Sequence, residues 1–315
     1  MASPDLAVVI VTWNVRALVL DALRSLYADL AANGPGHTIV YVVDNASTDG
    51  TPAAITAEFP QVKLIASREN LGFAGGNNVA LKAMGFGTNP NDDDLPQAVF
   101  LLNPDTIIHA GAVLALYRQL NIEGVGLVGA QLSYGDGSFQ HGAFHFPGLK
   151  QLWVEFFPTP GRLIEAEFNG RYPRRLYESG QPFEVDCVLG ATMMLRCEVI
   201  QQTGMFDEQF FIYCEEIDWA WRIRKAGWRV MCVPAAHVVH LGGQSAVQVR
   251  AQSIINLWQS RLRLFRKHYP VWKLATARAM IAVGMRLKAR QVRQQMPPSP
   301  ERDAVIGAYR QVAKI

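Results

Sequence analysis

Cysteine is scarce in this sequence. The 315 residues include four cysteines, Cys187, Cys197, Cys214 and Cys232, and no two of them form a CxxC pair. Zinc sites use closely spaced cysteine and histidine ligands, and disulfide frameworks use many cysteines in a small secreted domain. We therefore expect neither feature, and we expect buried thiols in a reducing cytoplasm.

Long apolar runs are also absent. Residues 1–14 have no basic region and no cleavage site, and their one apolar run has only the length of a strand. This pattern favours neither secretion nor an N-terminal membrane span. Half of the residues are hydrophobic and 18% are charged. That composition is sufficient to bury the core of one large domain, alone or with appendages.

Two phosphate-binding motifs are missing. No GxGxxG follows the first predicted strand, and GxxxxGKS/T does not occur. Their absence argues against a Rossmann dinucleotide enzyme and against a P-loop protein.

Positive charge is concentrated near the C-terminal end. The net charge is +3, but residues 261–315 contain 13 Lys and Arg against 2 acidic residues, so this segment carries +11 and the rest of the chain −8. A basic segment beside an acidic body indicates an anionic partner, either membrane lipid or nucleic acid.

The first hundred residues alternate between strand and helix patterns. Apolar, β-branched runs predict strands, and apolar residues at helical spacing predict helices. The predicted strands are Leu6–Thr12, Thr38–Val43, Val62–Ser67 and one from Ala98; the predicted helices are Arg16–Ala32, a short helix from Thr51 capped by Ser47 or Thr48, and one from the Asn70–Asn78 turn to Met84. This order is typical of an α/β fold with a mostly parallel, Rossmann-like sheet flanked by helices.

The strand from Ala98 stops abruptly at Asn103-Pro104-Asp105. Ligands of α/β sheets bind beyond the carboxyl ends of the strands, so Asp105 is well placed to hold a metal or a phosphate. An ordinary turn is the alternative, since all three residues are frequent in turns. Just before this strand, Asp92–Asp94 are expected to form a solvated loop, because nothing apolar positions them.

Several motifs follow one another in a fixed order. They are VVIVTWN from Val8, VVDNASTDGT from Val42, NLGFAGGNN from Asn70, FLLNPDT from Phe100, Gly190-Ala191, the segment Gly204–Trp228, and His240-x-x-Gly243-x-Ser245. Over about residues 6–246 they resemble glycosyltransferase family 2, in particular its rhamnosyltransferase-like branch. The resemblance implies a GT-A fold in residues 1–250, with a nucleotide-sugar half (1–110), an acceptor half (111–250) and a basic helical extension (251–315).

The resemblance also assigns a donor site. Asp44 matches the position that recognises the nucleotide base, with a helix-cap role as the alternative. Asp105 matches the last Asp of the family's DxD motif, whereas Asn103 replaces the first Asp and keeps an oxygen without the charge. The expected donor-binding residues are Thr12, Asn14, Asp44, Asn45, Asn70, Gly72, Gly75, Asn77, Asn103 and Asp105.

A divalent cation is expected beside the donor diphosphate. Such an ion offsets the charge of the departing diphosphate, and one carboxylate can anchor Mg²⁺ or Mn²⁺ when phosphate oxygens and waters supply the other ligands. The resemblance implies Asp105 and His240 as metal ligands. A structural histidine at the end of a strand is the alternative for His240.

A base must take the proton from the acceptor hydroxyl. Glu215, Glu216 and Asp218 open a predicted helix, and the N-terminus of a helix favours the ionised form of carboxylates in its first turn. The family usually has Glu-Asp here with the Asp as base; Glu216 stands at that position and is our first choice, with Asp218 in reserve. The alternative is a solvated first turn in which Asp218 pairs with Arg222.

The acceptor side is expected at Gly190, Ala191, Glu215 and Trp219. Of Trp219, Trp221 and Trp228, we expect two in the core. The segment Ser133–Glu184 has few motifs and many helix breakers, and it is predicted to be a variable acceptor-side loop.

The basic segment contains a predicted helix from Val271. Leu274, Ala277, Ile281 and Met285 recur at helical spacing, and Arg286, Arg290 and Arg293 form another stripe. Residues 271–293 either contact an anionic bilayer, which would suit a lipid-linked acceptor, or pack on the catalytic domain. We expect no spanning helix and no nucleic-acid partner.

Together these features predict a metal-dependent glycosyltransferase of the cytoplasm or of the inner membrane face, and the family resemblance implies that it inverts the sugar configuration. The expected donor is dTDP-rhamnose or a similar dTDP- or UDP-deoxysugar, and the expected acceptor is a glycan or lipid-linked sugar of a bacterial surface polysaccharide. Two alternatives stay open. A sugar nucleotidyltransferase would carry a Gly-rich basic loop where this chain has Trp13–Arg16. A non-catalytic nucleotide-sugar-binding module would tolerate the departures at Asn103 and Glu216.

Overall fold

The computed structural model describes residues 3–88, 95–242 and 249–315. The expected loop Asp92–Asp94 lies outside the described residues, and so do Gly243 and Ser245 of the last motif. The strands are β1 (Leu6–Thr12), β2 (Thr38–Asp44), β3 (Lys63–Ala66), β4 (Ala98–Leu102), β5 (Thr106–Ile108), β6 (Val125–Ser133), β7 (Phe139–Gln140), β8 (Ala143–Phe144), β9 (Phe183–Glu184), β10 (Cys187–Val188), β11 (Thr192–Arg196) and β12 (Arg229–His240).

Helices connect and cover these strands. They are α1 (Arg16–Asn33), α2 (Thr51–Glu58), α3 (Gly72–Met84), α4 (Ala112–Leu120), α5 (Leu149–Phe156), α6 (Gly161–Ile164), α7 (Arg174–Glu178), α8 (Cys197–Thr203), α9 (Glu215–Lys225), α10 (Arg250–His268), α11 (Val271–Gln295) and α12 (Pro300–Val312), with a short 3-10 turn at Glu167–Asn169.

One large sheet organises the described residues. Its strand order is β3-β2-β1-β4-β11-β6-β12-β5, with β7 beside β6 and β9 beside β12. β3, β2, β1 and β4 run parallel, whereas β11 runs antiparallel between β4 and β6. The predicted α/β class with a mostly parallel sheet is confirmed. Because β1, β2 and β4 are parallel, their carboxyl ends meet at one edge of the sheet.

Helices cover both faces of this sheet. In β1, Leu6 and Val8 pack in one apolar cluster with Leu23 of α1, while Val9 packs in a second cluster with Leu81 of α3. Alternate residues of a strand point to opposite faces, so a continuous apolar run is what a strand buried on both faces requires.

The start of α2 differs from the prediction. Its N-cap is Gly50, with φ of 80° and no side-chain cap, rather than Ser47 or Thr48. The Ser47 hydroxyl instead accepts a hydrogen bond from the backbone N–H of Asn14 at 2.9 Å. The local sequence offers several capping residues, and this contact with the end of β1 engages Ser47 elsewhere.

The segment Ser133–Glu184 is not simply a loop. It contains α5, α6 and α7, which are too short to give a clear helical pattern in the sequence. α5 packs against the C-terminal helices in an apolar cluster that includes Leu152, Trp258 and Phe265.

The apolar stripe of α11 faces the protein. Ala277, Ile281 and Met285 are buried in the same cluster as Leu152, and a Cβ added at Gly284 would lie 2.1 Å from the ring of Phe156. The apolar stripe of α11 therefore packs on the rest of the protein and does not face a bilayer. Within the described ranges, no helix is both long and apolar enough to cross a bilayer.

Candidate active site

A cavity of about 470 Å³ opens at the edge where β1, β2 and β4 end. It extends to the start of α9 and to α10, so it joins the two halves of the predicted site. The predicted residues that line it are Thr12, Asn45, Asn70, Gly72, Asn103, Asp105, Gly190, Ala191, Glu215, Glu216 and His240.

Four predicted donor residues lie behind the lining. Asp44 is buried, and its Oδ2 accepts a hydrogen bond from the N–H of Ser47 at 2.9 Å, while its Oδ1 has no partner among the described residues. Asn14 Oδ1 accepts from the backbone N–H of Thr48, Asn77 donates to the carbonyl of Phe73 within α3, and Gly75 packs on Leu71. These residues shape the edge rather than form the cavity wall.

Asn103, Asp105 and His240 meet at one end of the cavity. His240 Nε2 lies 3.5 Å from Asp105 Oδ1 and 3.4 Å from Asn103 Nδ2, and His240 Nδ1 lies 3.2 Å from Gln140 Oε1. Because the Gln140 oxygen only accepts and the Asn103 nitrogen only donates, these hydrogen bonds require a proton on Nδ1 and a lone pair on Nε2. Burial, opposed by Asp105, lowers the pKa of His240 and keeps the ring neutral.

This end of the cavity fits a divalent cation. Asn103 Oδ1 is buried without a hydrogen-bond partner among the described residues, and the Asn103 amide nitrogen and Asp105 Oδ1 lie 3.4 Å and 3.5 Å from His240 Nε2. Carboxylate, amide oxygen and imidazole are suitable ligands for Mn²⁺, and the first two also suit Mg²⁺. No group of three or more His, Cys, Asp or Glu side chains forms a metal cluster in the described parts of the chain. Asn103 and donor phosphate oxygens would have to complete the ligand set.

No motif in the sequence points to Gln140. It lies on the two-residue strand β7 and reaches His240 only because β7 pairs with β6. A hydrogen bond of this kind orients a metal-binding histidine and selects its tautomer.

A strained turn presents the acidic pair Glu215 and Glu216. Tyr213 and Cys214, immediately before them, have φ of 71° and 67°, a left-handed conformation that non-glycine residues seldom adopt. Contact with α3 supports this turn, since the N–H of Phe73 donates to the carbonyl of Phe211 at 2.9 Å. A Cβ added at Gly72 would lie 2.1 Å from that carbonyl oxygen, so glycine is required there.

Burial dominates the charge state of this pair. It raises the pKa of Glu216 to about 7, against the backbone hydrogen bonds of the first helical turn. Burial and the neighbouring Glu216 charge raise the pKa of Glu215 well above its usual range. We expected the helix N-terminus to favour the ionised forms, but the loss of hydration outweighs it. A carboxyl group whose pKa lies near neutrality is suited to exchange a proton with a substrate.

Asp218 and Trp219 do not line this cavity, contrary to our expectation. Asp218 is fully buried and accepts from Arg222 Nε at 3.0 Å, from His268 Nε2 at 2.7 Å and from Lys267 Nζ at 3.0 Å. Trp219 is fully buried and donates to Thr203 Oγ1. Asp218, two positions after Glu216, points to another side of the helix, and Trp219 packs in the apolar core against the ring of Phe206. The pairing of Asp218 with Arg222 in the alternative interpretation is observed, but Glu215 and Asp218 of that first turn are buried rather than solvated.

The sequence matches the family described as "Glycosyltransferase like family 2" over residues 4–269. It is 30% identical, over 237 residues, to the N-acetylglucosaminyl-diphospho-decaprenol L-rhamnosyltransferase of Mycobacterium tuberculosis, and the match covers 75% of each chain. It is 27% identical, over 171 residues, to rhamnosyltransferase WbbL of Escherichia coli, covering 54% of this chain and 60% of that protein.

Two solved structures share the fold. One is the mannosyltransferase PcManGT from Pyrobaculum calidifontis in complex with GDP-Man and Mn²⁺, with a TM-score of 0.53 and 18% identity, covering 99% of this chain and 86% of that one. The other is GalNAc-T7 with UDP, GalNAc and Mn²⁺, with a TM-score of 0.58 and 14% identity, covering 100% of this chain and 55% of that one. At these identities the likeness concerns the fold alone, and it confirms the predicted GT-A architecture.

Proposed function

The chain belongs to glycosyltransferase family 2 and is therefore a glycosyltransferase. We propose that it transfers rhamnose or another deoxyhexose, with inversion, from a nucleoside diphosphate to a lipid-linked sugar or glycan. The observation that carries this proposal is one cavity that holds Asn103 and Asp105 at the sheet edge together with the half-buried carboxyl group of Glu216. Rhamnose and a lipid-linked acceptor come first because the M. tuberculosis relative is named for both.

The donor binds at the ends of β1, β2 and β4. The buried Asp44 Oδ1 lacks a partner among the described residues, which supports a role in accepting a hydrogen bond from a nucleotide base. Because Asp44 lies behind the cavity wall, the loop that follows β2 would have to shift when the donor binds. Thr12, Asn45 and Asn70 provide polar groups along the cavity wall. A dTDP- or UDP-sugar is the expected donor.

Asn103, Asp105 and His240 would hold Mg²⁺ or Mn²⁺ beside the diphosphate. The unpartnered Asn103 Oδ1 and the Nε2 lone pair of His240 support this assignment. When bound, the cation neutralises charge that develops on the leaving diphosphate.

Glu216 is the base. Its ionised carboxylate takes the proton of the acceptor hydroxyl as the hydroxyl oxygen forms a bond to the anomeric carbon. The bond between that carbon and the diphosphate oxygen breaks in the same displacement, and the sugar configuration inverts. A pKa near 7 lets Glu216 both accept this proton and release it between turnovers at neutral pH.

We also retain the proposed division into residues 1–110 for the donor, 111–250 for the acceptor and 251–315 as a basic extension. Gln252 and Asn256 of α10 line the 470 Å³ cavity, which we call the donor cavity. The extension would therefore contribute part of the wall of the site.

The extension is proposed to contact an anionic membrane at the cytoplasmic face, through the side of α11 opposite to the buried stripe. Residues 271–295 contain six Lys and Arg and no acidic residue. Trp272, Val283 and Leu287 are 63%, 46% and 43% exposed, and Arg286 and Arg290 are exposed on the same side. Apolar side chains among exposed cations favour an anionic bilayer surface.

The first test is a thermal-unfolding panel of dTDP-, UDP- and GDP-sugars, each with Mn²⁺ and with EDTA. A ligand that binds only the folded protein raises the unfolding midpoint. We expect a Mn²⁺-dependent shift with a dTDP- or UDP-sugar, followed by release of the nucleoside diphosphate when a lipid-linked acceptor is added. Binding without release would indicate a non-catalytic module, and release of pyrophosphate from a nucleoside triphosphate would indicate a nucleotidyltransferase.

A further inference from the structure

A second cavity, of about 330 Å³, adjoins the donor cavity at Glu216. Leu189 and Glu216 line both cavities, so the carboxyl group stands at their boundary. The other walls come from the segment between β8 and α5, from β10 and from α10. A molecule in the second cavity can therefore reach Glu216 without entering the donor cavity.

Two arginines line this second cavity from different parts of the chain. Arg171 follows the 3-10 turn and bridges to Phe144 of β8, whereas Arg261 lies on α10. Sequence reasoning did not single out either residue. Ninety residues separate them along the chain, and only the packing of α10 on the β8–α5 segment brings them to one cavity.

The guanidinium groups of both arginines have unused hydrogen-bonding capacity. Arg171 Nε is buried and has no hydrogen-bond partner in the described parts of the chain, and its carboxylate neighbour Glu165 lies 3.7 Å away. Arg261 Nη1 lies 3.7 Å from Glu155 Oε2, and its guanidinium group stacks 4.6 Å over the ring of Trp258. Neither guanidinium group makes a hydrogen bond with any other residue that the structure describes.

The carboxylates near these arginines are already engaged. Glu155 Oε1 forms a close ion pair with Lys288, and Glu165 Oε2 lies 3.2 Å from His141 Nε2. A guanidinium group offers five N–H donors in a planar fork that matches the oxygens of a phosphate. Two such forks with unfilled donors in one cavity are suited to an anion with several oxygens.

We propose that the second cavity binds the acceptor, with a phosphate or diphosphate group of the acceptor held by Arg171 and Arg261 and its sugar hydroxyl at Glu216. This inference rests on the proposed function and adds to it the anionic group by which the enzyme recognises its acceptor. The acceptor then meets Glu216 from the second cavity while the donor occupies the first.

The test compares two synthetic acceptors, decyl diphosphate-linked N-acetylglucosamine and the neutral decyl glycoside of the same sugar. Binding is measured by calorimetry with dTDP and Mn²⁺ present at saturation, so that the donor cavity is filled and the result does not depend on catalysis. We expect the full-length protein to bind the diphosphate acceptor about tenfold more tightly than the glycoside. Arg171→Gln and Arg261→Gln should each remove this preference and leave binding of the glycoside within about twofold.

Arg118→Gln is the matched control, because Arg118 is exposed on α4 and lines neither cavity. It should keep the preference, and all three variants should keep the unfolding midpoint of the parent. Three results would overturn the inference: no binding of the diphosphate acceptor, equal binding of the two acceptors by the parent protein, or an equal loss for both acceptors in the arginine variants. Failure of the proposed function is distinguishable, since it would be seen as no sugar transfer with any donor while these binding measurements remain interpretable.

Discussion

Replacing Asp218 by Asn should lower the free energy of unfolding by about 2 to 3 kcal/mol at neutral pH. Burial opposes the ionisation of this carboxyl group, but hydrogen bonds from His268 and Lys267 and the charge of Arg222 outweigh it and lower the pKa from 3.8 to about 2. Each unit of difference between the folded and unfolded pKa corresponds to about 1.4 kcal/mol. The group is fully buried, so solvent screening does not reduce this value.

The sign of the pH dependence follows from the lowered pKa. The ionised group stabilises the fold fully above the unfolded pKa of 3.8, and the stabilisation is lost as the pH falls toward about 2. The difference in unfolding free energy between the parent protein and Asp218→Asn should therefore stay constant from pH 7 to about pH 5 and fall to about half at pH 3.

Urea unfolding of both proteins across this pH range measures the difference. Asp207→Asn is the control, because Asp207 pairs with the same Lys267 at 2.7 Å but is partly exposed, and its loss should cost about 1 kcal/mol or less. A difference for Asp218→Asn below about 0.5 kcal/mol, or one that does not change down to pH 3, would refute the reasoning. Loss of sugar transfer in a stably folded Asp218→Asn protein would instead indicate that Asp218 is the base.

Three further predictions concern the site and the extension. Glu216→Gln should keep donor binding and lower the transfer rate by about 10²-fold or more. In the parent protein, kcat/KM should fall below pH 7 as Glu216 becomes protonated. Normal transfer by the variant would place the base elsewhere. Asp105→Ala should abolish the Mn²⁺-dependent part of the donor-induced shift in unfolding midpoint, and a shift that survives would remove Asp105 from the metal site. The double variant Trp272→Ala, Arg290→Gln should bind anionic vesicles about tenfold more weakly than the parent in a sedimentation assay, with neutral vesicles as the control. Unchanged binding to anionic vesicles would contradict the proposed membrane contact.

The order of elements up to β4 was predictable because its signals are local. Apolar runs such as Leu6–Thr12 mark strands buried on both faces, and helical spacing marks α1. Parallel strands end at one edge, so Asn103 and Asp105 were predicted to lie at a site before any contact was known. The short helices of Ser133–Glu184 were not predicted, because segments of four to eight residues carry almost no periodicity of their own.

The sequence by itself determined the fold class, the family and the presence of acidic residues at both ends of the site, because these depend on local patterns and on the order of motifs. Only the tertiary structure decided that Glu215 and Glu216 of α9 line the cavity, whereas the Asp218 carboxylate is held by Lys267 and His268. It also decided that the apolar stripe of α11 packs on α5, and that Arg171 and Arg261 meet in one cavity. These outcomes depend on contacts between residues far apart in the chain, and the energies of burial and ion pairing at such contacts exist only once the chain has folded.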